Sequence, residues 1–258
     1  MKNRILAILS GAALMAVPAW AQSVLFDFDN APAHSPLPLS LTVGGITAQL
    51  SATGQGFSIQ AANVLGFTPA GFSGNCIYPS SVLAADLLIG FSQPLTAFSI
   101  LYAPEEYACD SSARMKVTAY LNDSLVGSNT TNANAGTWPS EILAFSSAQP
   151  FNRVVVHYDA PPPTGGDYGP IFMADNMEVT PSAPVLTNPT LLPNGAFTFA
   201  FSGTAGASFT VLATTNIALP TGSWASLGAA TETAPGAFQF TDPAAPGGSQ
   251  RFYQVRSP

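Results

Sequence analysis

The chain has 258 residues, of which 8% are charged, and a formal net charge of −7 at pH 7. An ordinary globular protein carries about 25% charged residues, so Ser, Thr, Asn and Gln do most of the solvating here. So few bases argue against nucleic acid or anionic lipid as partner, since both need basic patches, and 47% hydrophobic with 10% aromatic residues argues against a disordered chain.

The chain opens on Lys2 and Arg4, an apolar run from Ile5 to Val17, and Ala19-Trp20-Ala21, which has the A-x-A form of a cleavage site. This pattern predicts a secretory signal peptide over residues 1–21, too short and wrongly flanked for a membrane span. No later run reaches the ~18 apolar residues of a transmembrane helix. The protein is therefore expected outside the cell or at its surface. Cleavage would leave Arg114, Lys116, Arg153, Arg251 and Arg256 against fourteen acids, a balance compatible with neutral polymers or cations as ligands. Cys76 and Cys109 are the only cysteines. In an exported chain they most simply form one disulfide, adding roughly 3–4 kcal/mol; two free buried thiols are the alternative.

From Gln22 onward, 22 Gly and 23 Pro punctuate short runs rich in Val, Ile, Leu, Phe and Thr, the pattern of an all-β chain. Val24 to Asp29 places Phe26 and Phe28 on one face and Asp27 and Asp29 on the other. Strands are predicted at Ile46–Ala52 and Phe57–Gln60, followed by a long loop, 63–81, that holds Cys76 and Tyr78. Further strands are read at Ala85–Phe91 and Leu95–Tyr102, with a polar loop from Pro104 to Ser112 holding Tyr107, Cys109 and Asp110. Arg114 to Leu121 alternates cleanly, and Asn122-Asp123-Ser124 turns it into Leu125–Asn129 as a hairpin. A loop from Thr130 ends near Trp138. Strands follow at Glu141–Phe145 and Asn152–Tyr158, then a Pro/Gly loop with Asp167 and Tyr168, then Ile171–Val179. About ten strands with long loops predict a jelly-roll-like antiparallel sandwich over 22–180.

Thr180-Pro181-Ser182-Ala183-Pro184 reads as a hinge at 181–184 that no sheet crosses. Beyond it, short strands at close spacing over 185–258 predict a small fibronectin/Ig-like sandwich.

The stretch Phe209-Thr210-Val211-Leu212-Ala213-Thr214-Thr215-Asn216, then Trp224, Phe238-Gln239-Phe240-Thr241-Asp242 and Arg251-Phe252-Tyr253-Gln254-Val255 resembles the fibronectin type III-like accessory domain of secreted bacterial proteins. That resemblance implies a fold, with core and corner roles for its Trp and Tyr. The opening Phe26-Asp27-Phe28-Asp29 and closing Asp175-Asn176-Met177-Glu178-Val179 give the N-terminal region a layout similar to β-sandwich domains of exported bacterial proteins, and to the jelly rolls of carbohydrate-binding modules. By analogy this implies a glycan ligand.

Two chemistries stand out. If the first and last strands of the N-terminal region pair, Asp27, Asp29, Asp175 and Asn176 would meet and offer the oxygen donors of a structural calcium site; solvated edge carboxylates are the alternative. Loop aromatics stack on sugar rings while neighbouring amides and acids bond hydroxyls, so Tyr78, Tyr107, Trp138, Asp167 and Tyr168 are the candidate ligand-binding residues. For Trp138, a lid folded onto the sandwich is the competing role. Catalysis is poorly supported. Glu105 and Glu106 are neighbours that point opposite ways, Gly71-Phe72-Ser73-Gly74 fails the nucleophile elbow, and His34 and His157 are the only histidines. The expectation is a secreted, non-catalytic module for extracellular polysaccharide. A structural or adhesive surface protein and a glycan-active hydrolase are the alternatives.

Overall fold

The computed structural model describes residues 23–106, 113–160, 167–184, 186–203, 206–244 and 250–256. Their regular structure is β apart from one 3-10 turn at Thr221–Ser223. The chain divides into two compact units, one ending at Ser182 and the other running from Ala183. Among the described residues no helix is long and apolar enough to cross a membrane.

The N-terminal unit contains β1 (Val24–Phe26), β2 (Leu39–Val43), β3 (Ile46–Ala52), β4 (Phe57–Ala61), β5 (Asn75–Pro79), β6 (Leu87–Glu106), β7 (Arg114–Leu121), β8 (Ser124–Asn132), β9 (Glu141–Ala160) and β10 (Asp167–Pro181), all in one antiparallel sheet. Two hairpins are set by residues with positive φ at both turn positions, Gly44-Gly45 between β2 and β3 and Asn122-Asp123 between β7 and β8. Such turns match the right-handed twist of the strands they join. The sheet folds over along β6 and β9. The first part of β6 pairs with β3 and with residues 153–156 of β9, and its later part pairs with β10 and with residues 141–146 of β9. Register shifts after Gly90 and around Leu95 mark the bend, as bulges do where one strand must serve two layers. One core lies between the halves, with Phe26, Phe98, Tyr102, Phe151, Phe172 and Ile89 almost fully buried.

Several predicted boundaries change. What read as two strands, 85–91 and 95–102, is the single strand β6, which continues through Pro104 to Glu106; 141–145 and 152–158 likewise join as β9. The predicted loop 63–81 contains β5, so Cys76 and Tyr78 sit on a strand. The sheet does not stop before Pro181: β10 includes it opposite Leu95, and Ser182 N–H donates to Pro94 O at 2.9 Å. Pro181 is tolerated there because the ladder shifts register at that step, so its missing donor is not needed.

The C-terminal unit holds β11 (Thr187–Leu191), β12 (Phe197–Ser202), β13 (Thr210–Thr214), β14 (Ala225–Ala229), β15 (Thr231–Ala234), β16 (Ala237–Asp242) and β17 (Phe252–Arg256). They form a four-stranded sheet, β11-β12-β16-β15, and a three-stranded one, β14-β13-β17. Phe197, Phe199, Phe201, Phe209, Phe238 and Tyr253 fill the core. Tyr253 O–H donates to Asp242 Oδ2 at 2.9 Å and Arg251 pairs with the same oxygen at 3.0 Å, so this buried acid is fully engaged.

Candidate functional site

The site is built on the outer face of the β5/β10 half of the sheet. Side chains alternate along a strand, so Met173 and Asp175 on β10, Leu101, Ala103 and Glu105 on β6, and Cys76 and Tyr78 on β5 point away from the main core. The segment from Ala62 to Asn75 folds over this face. Ala62, Phe72, Cys76, Ala103 and Met173 form a small second core beneath it, with Tyr78 and Leu101 packed half-buried against it.

This covering loop is pinned from several sides. Asp29 Oδ1 accepts Asn75 N–H at 2.7 Å, Asp175 Oδ2 accepts Ser73 N–H at 3.1 Å, Asn176 Nδ2 donates to Gly71 O at 3.0 Å, and Ser140 Oγ donates to Ala70 O at 2.7 Å. Gly74 is required twice, by its φ of +52° and because a Cβ there would lie 1.8 Å from Asp29 Oδ1. Asn176 also has positive φ, +47°, within the register shift between Asp175 and Glu178, a conformation Asn adopts more readily than most residues.

The residues read as a cation site are therefore placed in one neighbourhood. β1 pairs with β10, Phe26 opposite Met177. Asp27 and Asp29 do not share a strand face, however, because β1 ends at Phe26 and Phe28 has φ +60°. Asp27 Oδ1 accepts Asp29 N–H at 3.2 Å, closing a local turn. The carboxylates of Asp29 and Asp175 hold backbone amides. Among the described residues, no group of three or more His, Cys, Asp or Glu side chains is arranged to hold a metal ion.

Burial sets the charge states on this face. Glu105 is buried, its Oε1 without a hydrogen-bond partner among the described residues, and desolvation pushes its carboxyl up to about 7. Asp175 is buried too and is pushed up to about 6, burial outweighing its two N–H donors while Asp29 and Asp27 add repulsion. Burial, then the Asp175 and Glu105 charges, push the Cys76 thiol up to about 12. A thiol this far above neutral pH is no nucleophile. Among the described residues Cys76 is a free, buried thiol, and Cys109, with which a disulfide is expected, lies outside them. Its burial in an apolar cluster is what a small hydrophobe at that position contributes.

Trp138 reaches the same loop from the other side. Its ring stacks on Phe67, centroids 4.2 Å apart and 23° from parallel. Its φ is +51°, a left-handed conformation costing a bulky residue roughly 1–3 kcal/mol. Asn134 Nδ2 donates to Glu141 Oε2 at 2.8 Å, clamping the base of the loop that carries Trp138. Val64 and Leu65 stand exposed in the covering loop. Of the predicted ligand-binding residues, then, the structure brings Tyr78 and Trp138 to one loop, Tyr78 under it and Trp138 stacked on its Phe67. Asp167 and Tyr168 open β10, where Asp167 pairs with Glu106. Because β9 begins at Glu141 opposite Tyr102, they share an end of the sandwich with Trp138. Tyr107 lies outside the described residues. Phe67 was not singled out from sequence; an aromatic between Gly66 and Pro69 is the same signal that pointed to Trp138.

Each histidine has a side-chain partner. His34 Nδ1 lies 2.8 Å from Gln60 Oε1, and His157 Nδ1 lies 2.5 Å from Asp86 Oδ1, a residue 71 positions away rather than a local neighbour.

No family model and no curated protein matches the chain. Among solved structures it is similar to the K1 cleaved adhesin domain of Lys-gingipain from Porphyromonas gingivalis W83, at 13% identity and TM-score 0.37, over 62% of this chain and 99% of that one. It is also similar to the CBM22-1–GH10 modules of xylanase 10B from Clostridium thermocellum, at 12% identity and TM-score 0.31, over 63% of this chain and 30% of that one. A third similarity is to a fucolectin from Morone saxatilis serum, at 9% identity and TM-score 0.28, over 70% of this chain and 84% of that one.

Proposed function

We propose that the protein is an exported, non-catalytic module that binds extracellular polysaccharide at the Phe67–Trp138 end of its N-terminal sandwich, the C-terminal unit serving as a fibronectin type III-like accessory domain. The observation that carries this reading is Trp138 itself. Its ring is half-buried on Phe67, in a strained backbone conformation, on a loop clamped by Asn134 and Glu141. An aromatic surface held rigid before binding loses little entropy when a sugar ring stacks on it, and Asn134 and Glu141 supply hydroxyl partners beside it. Non-catalysis is supported by burial and bonding: Glu105 is sequestered from solvent and Glu141 is bonded to Asn134.

The test is retention of the mature chain on a panel of insoluble neutral polysaccharides, with Trp138→Ala alongside. At least one polymer should retain the wild type, and the variant should lose about tenfold or more in affinity. Equal retention of both proteins, or of neither on any polymer, overturns the reading.

A further inference from the structure

The opposite face of the same sandwich has different chemistry. In residues 23–182 the only Arg and Lys are Arg114, Lys116 and Arg153, and all three stand on the outer face of the β3/β7 half, on β7 and β9. Register lines up one row across five strands: Ser40 opposite Gln49, Gln49 opposite Gly90, Gly90 opposite Arg153, and Arg153 opposite Tyr120. Gly90 leaves a gap in the middle of that row. The gap is the floor of a groove of about 500 Å³, with Gln49 on one wall and Arg153 on the other.

Gly90 is the last paired residue before the register shift that bends β6, yet neither its backbone conformation nor the space around it requires a glycine. Gly90 has no positive φ, and a Cβ there would meet nothing nearer than Gln49 at 3.9 Å. Glycine inside a strand costs stability; it often marks a bulge, as the adjoining register shift does here, and it also lets a ligand approach the backbone closely. Arg153 is oriented for one. Its guanidinium lies 4.3 Å from the Tyr120 ring centroid, and its ion pair, to Asp123 at 3.2 Å, is with a fully exposed carboxylate, which holds it weakly. The next outward row is apolar at Leu88 opposite Val155. The row after that places Lys116 opposite His157, about 13 Å from Arg153 at ~3.3 Å per residue. Lys116 is in no ion pair among the described residues, whereas Arg114 is paired with Asp159 at 2.6 Å and His157 with Asp86.

We infer that this face is a second binding site, for a carboxylate-bearing polysaccharide of the polyuronate kind. Arg153 forks onto one carboxylate while Gln49 bonds hydroxyls. The sugar's C–H face lies over Gly90, Leu88 and Val155, and Lys116 takes a carboxylate further along the chain. The inference goes beyond the Trp138 site and fails or stands separately from it.

The test measures binding of the mature chain to polygalacturonate, to its fully methyl-esterified form and to dextran sulfate, at several salt concentrations. Polygalacturonate should bind at least about tenfold more tightly than the ester, with affinity falling as salt rises. Gly90→Leu, which fills the groove, and Arg153→Gln should each weaken polygalacturonate about tenfold while melting close to wild type. Gln49→Ala, at an exposed site, should weaken it severalfold, and Trp138→Ala should leave it unchanged. Absence of polygalacturonate binding, equal binding of the ester, or wild-type affinity in both Gly90→Leu and Gln49→Ala would overturn the inference. So would dextran sulfate binding as tightly as polygalacturonate and indifferent to Gly90→Leu, which would mark mere charge attraction.

Discussion

The two outer faces of the N-terminal sandwich use their ionisable groups in opposite ways. On the β5/β10 face the acids Glu105 and Asp175 are buried, and Asp29 and Asp175 hold the Ala62–Asn75 loop down by its backbone amides. On the β3/β7 face the unit's three Arg and Lys side chains are at least partly exposed. The difference shows that a low charge count says little about a site until burial is known. The acids of the first face act on the fold, whereas the bases of the second stand at the surface, two of them in ion pairs.

The most damaging way to break this contrast is to unpin the loop. Gly74→Ala places a methyl against the Asp29 carboxylate and a side chain at φ +52°, so chemical denaturation should show a loss of about 3 kcal/mol or more. Gly90→Ala on the other face, where a Cβ fits, should change stability by less than about 1 kcal/mol. Equal losses would erase the distinction between a glycine the fold needs and one it does not.

Next in size is the pH dependence. Glu105 is raised to about 7 and Asp175 to about 6 in the folded protein. Groups with raised folded values take up protons on folding, so their favourable contribution is complete below the ordinary carboxylate range and is lost as pH climbs through about 7. Stability should therefore increase on acidifying from pH 8 to pH 5, by on the order of 2–3 kcal/mol for Glu105 alone. Glu105→Gln should remove most of that slope and stabilise the protein at pH 8. A flat or inverted profile in the wild type would show that Glu105 is solvated rather than sequestered.

A smaller effect separates amide clasp from cation site. Asp29→Ala deletes the acceptor of Asn75 N–H and should cost about 1–2 kcal/mol, and a chelator should leave the melting temperature of the wild type unchanged. A fall in chelator that disappears in Asp29→Ala would place calcium at this position.

By itself the sequence determined the class of fold and much of its local detail. Alternation in Arg114–Leu121 set one face of β7 inward, and Asn122-Asp123 specified a turn with two positive φ values; both are local consequences of side-chain period and backbone sterics. It also marked Trp138 and the Asp175-Asn176 pair, because bulky aromatics and Asx residues in loops and strand ends are conspicuous for their chemistry. Only the tertiary structure decided the rest. Continuity of β6 and β9 through Pro94, Pro104 and Pro150 depends on which neighbour pairs on each side of a bulge, and no local pattern carries that. The stacking of Phe67 on Trp138, the clasp of Asp29 on the 71–75 turn, and the row Gln49–Gly90–Arg153–Tyr120 join residues far apart in the chain. Their meeting is fixed by strand order and register, which the main core sets by burying one face of every strand. What each outer face then displays follows from that register, and no single segment encodes it.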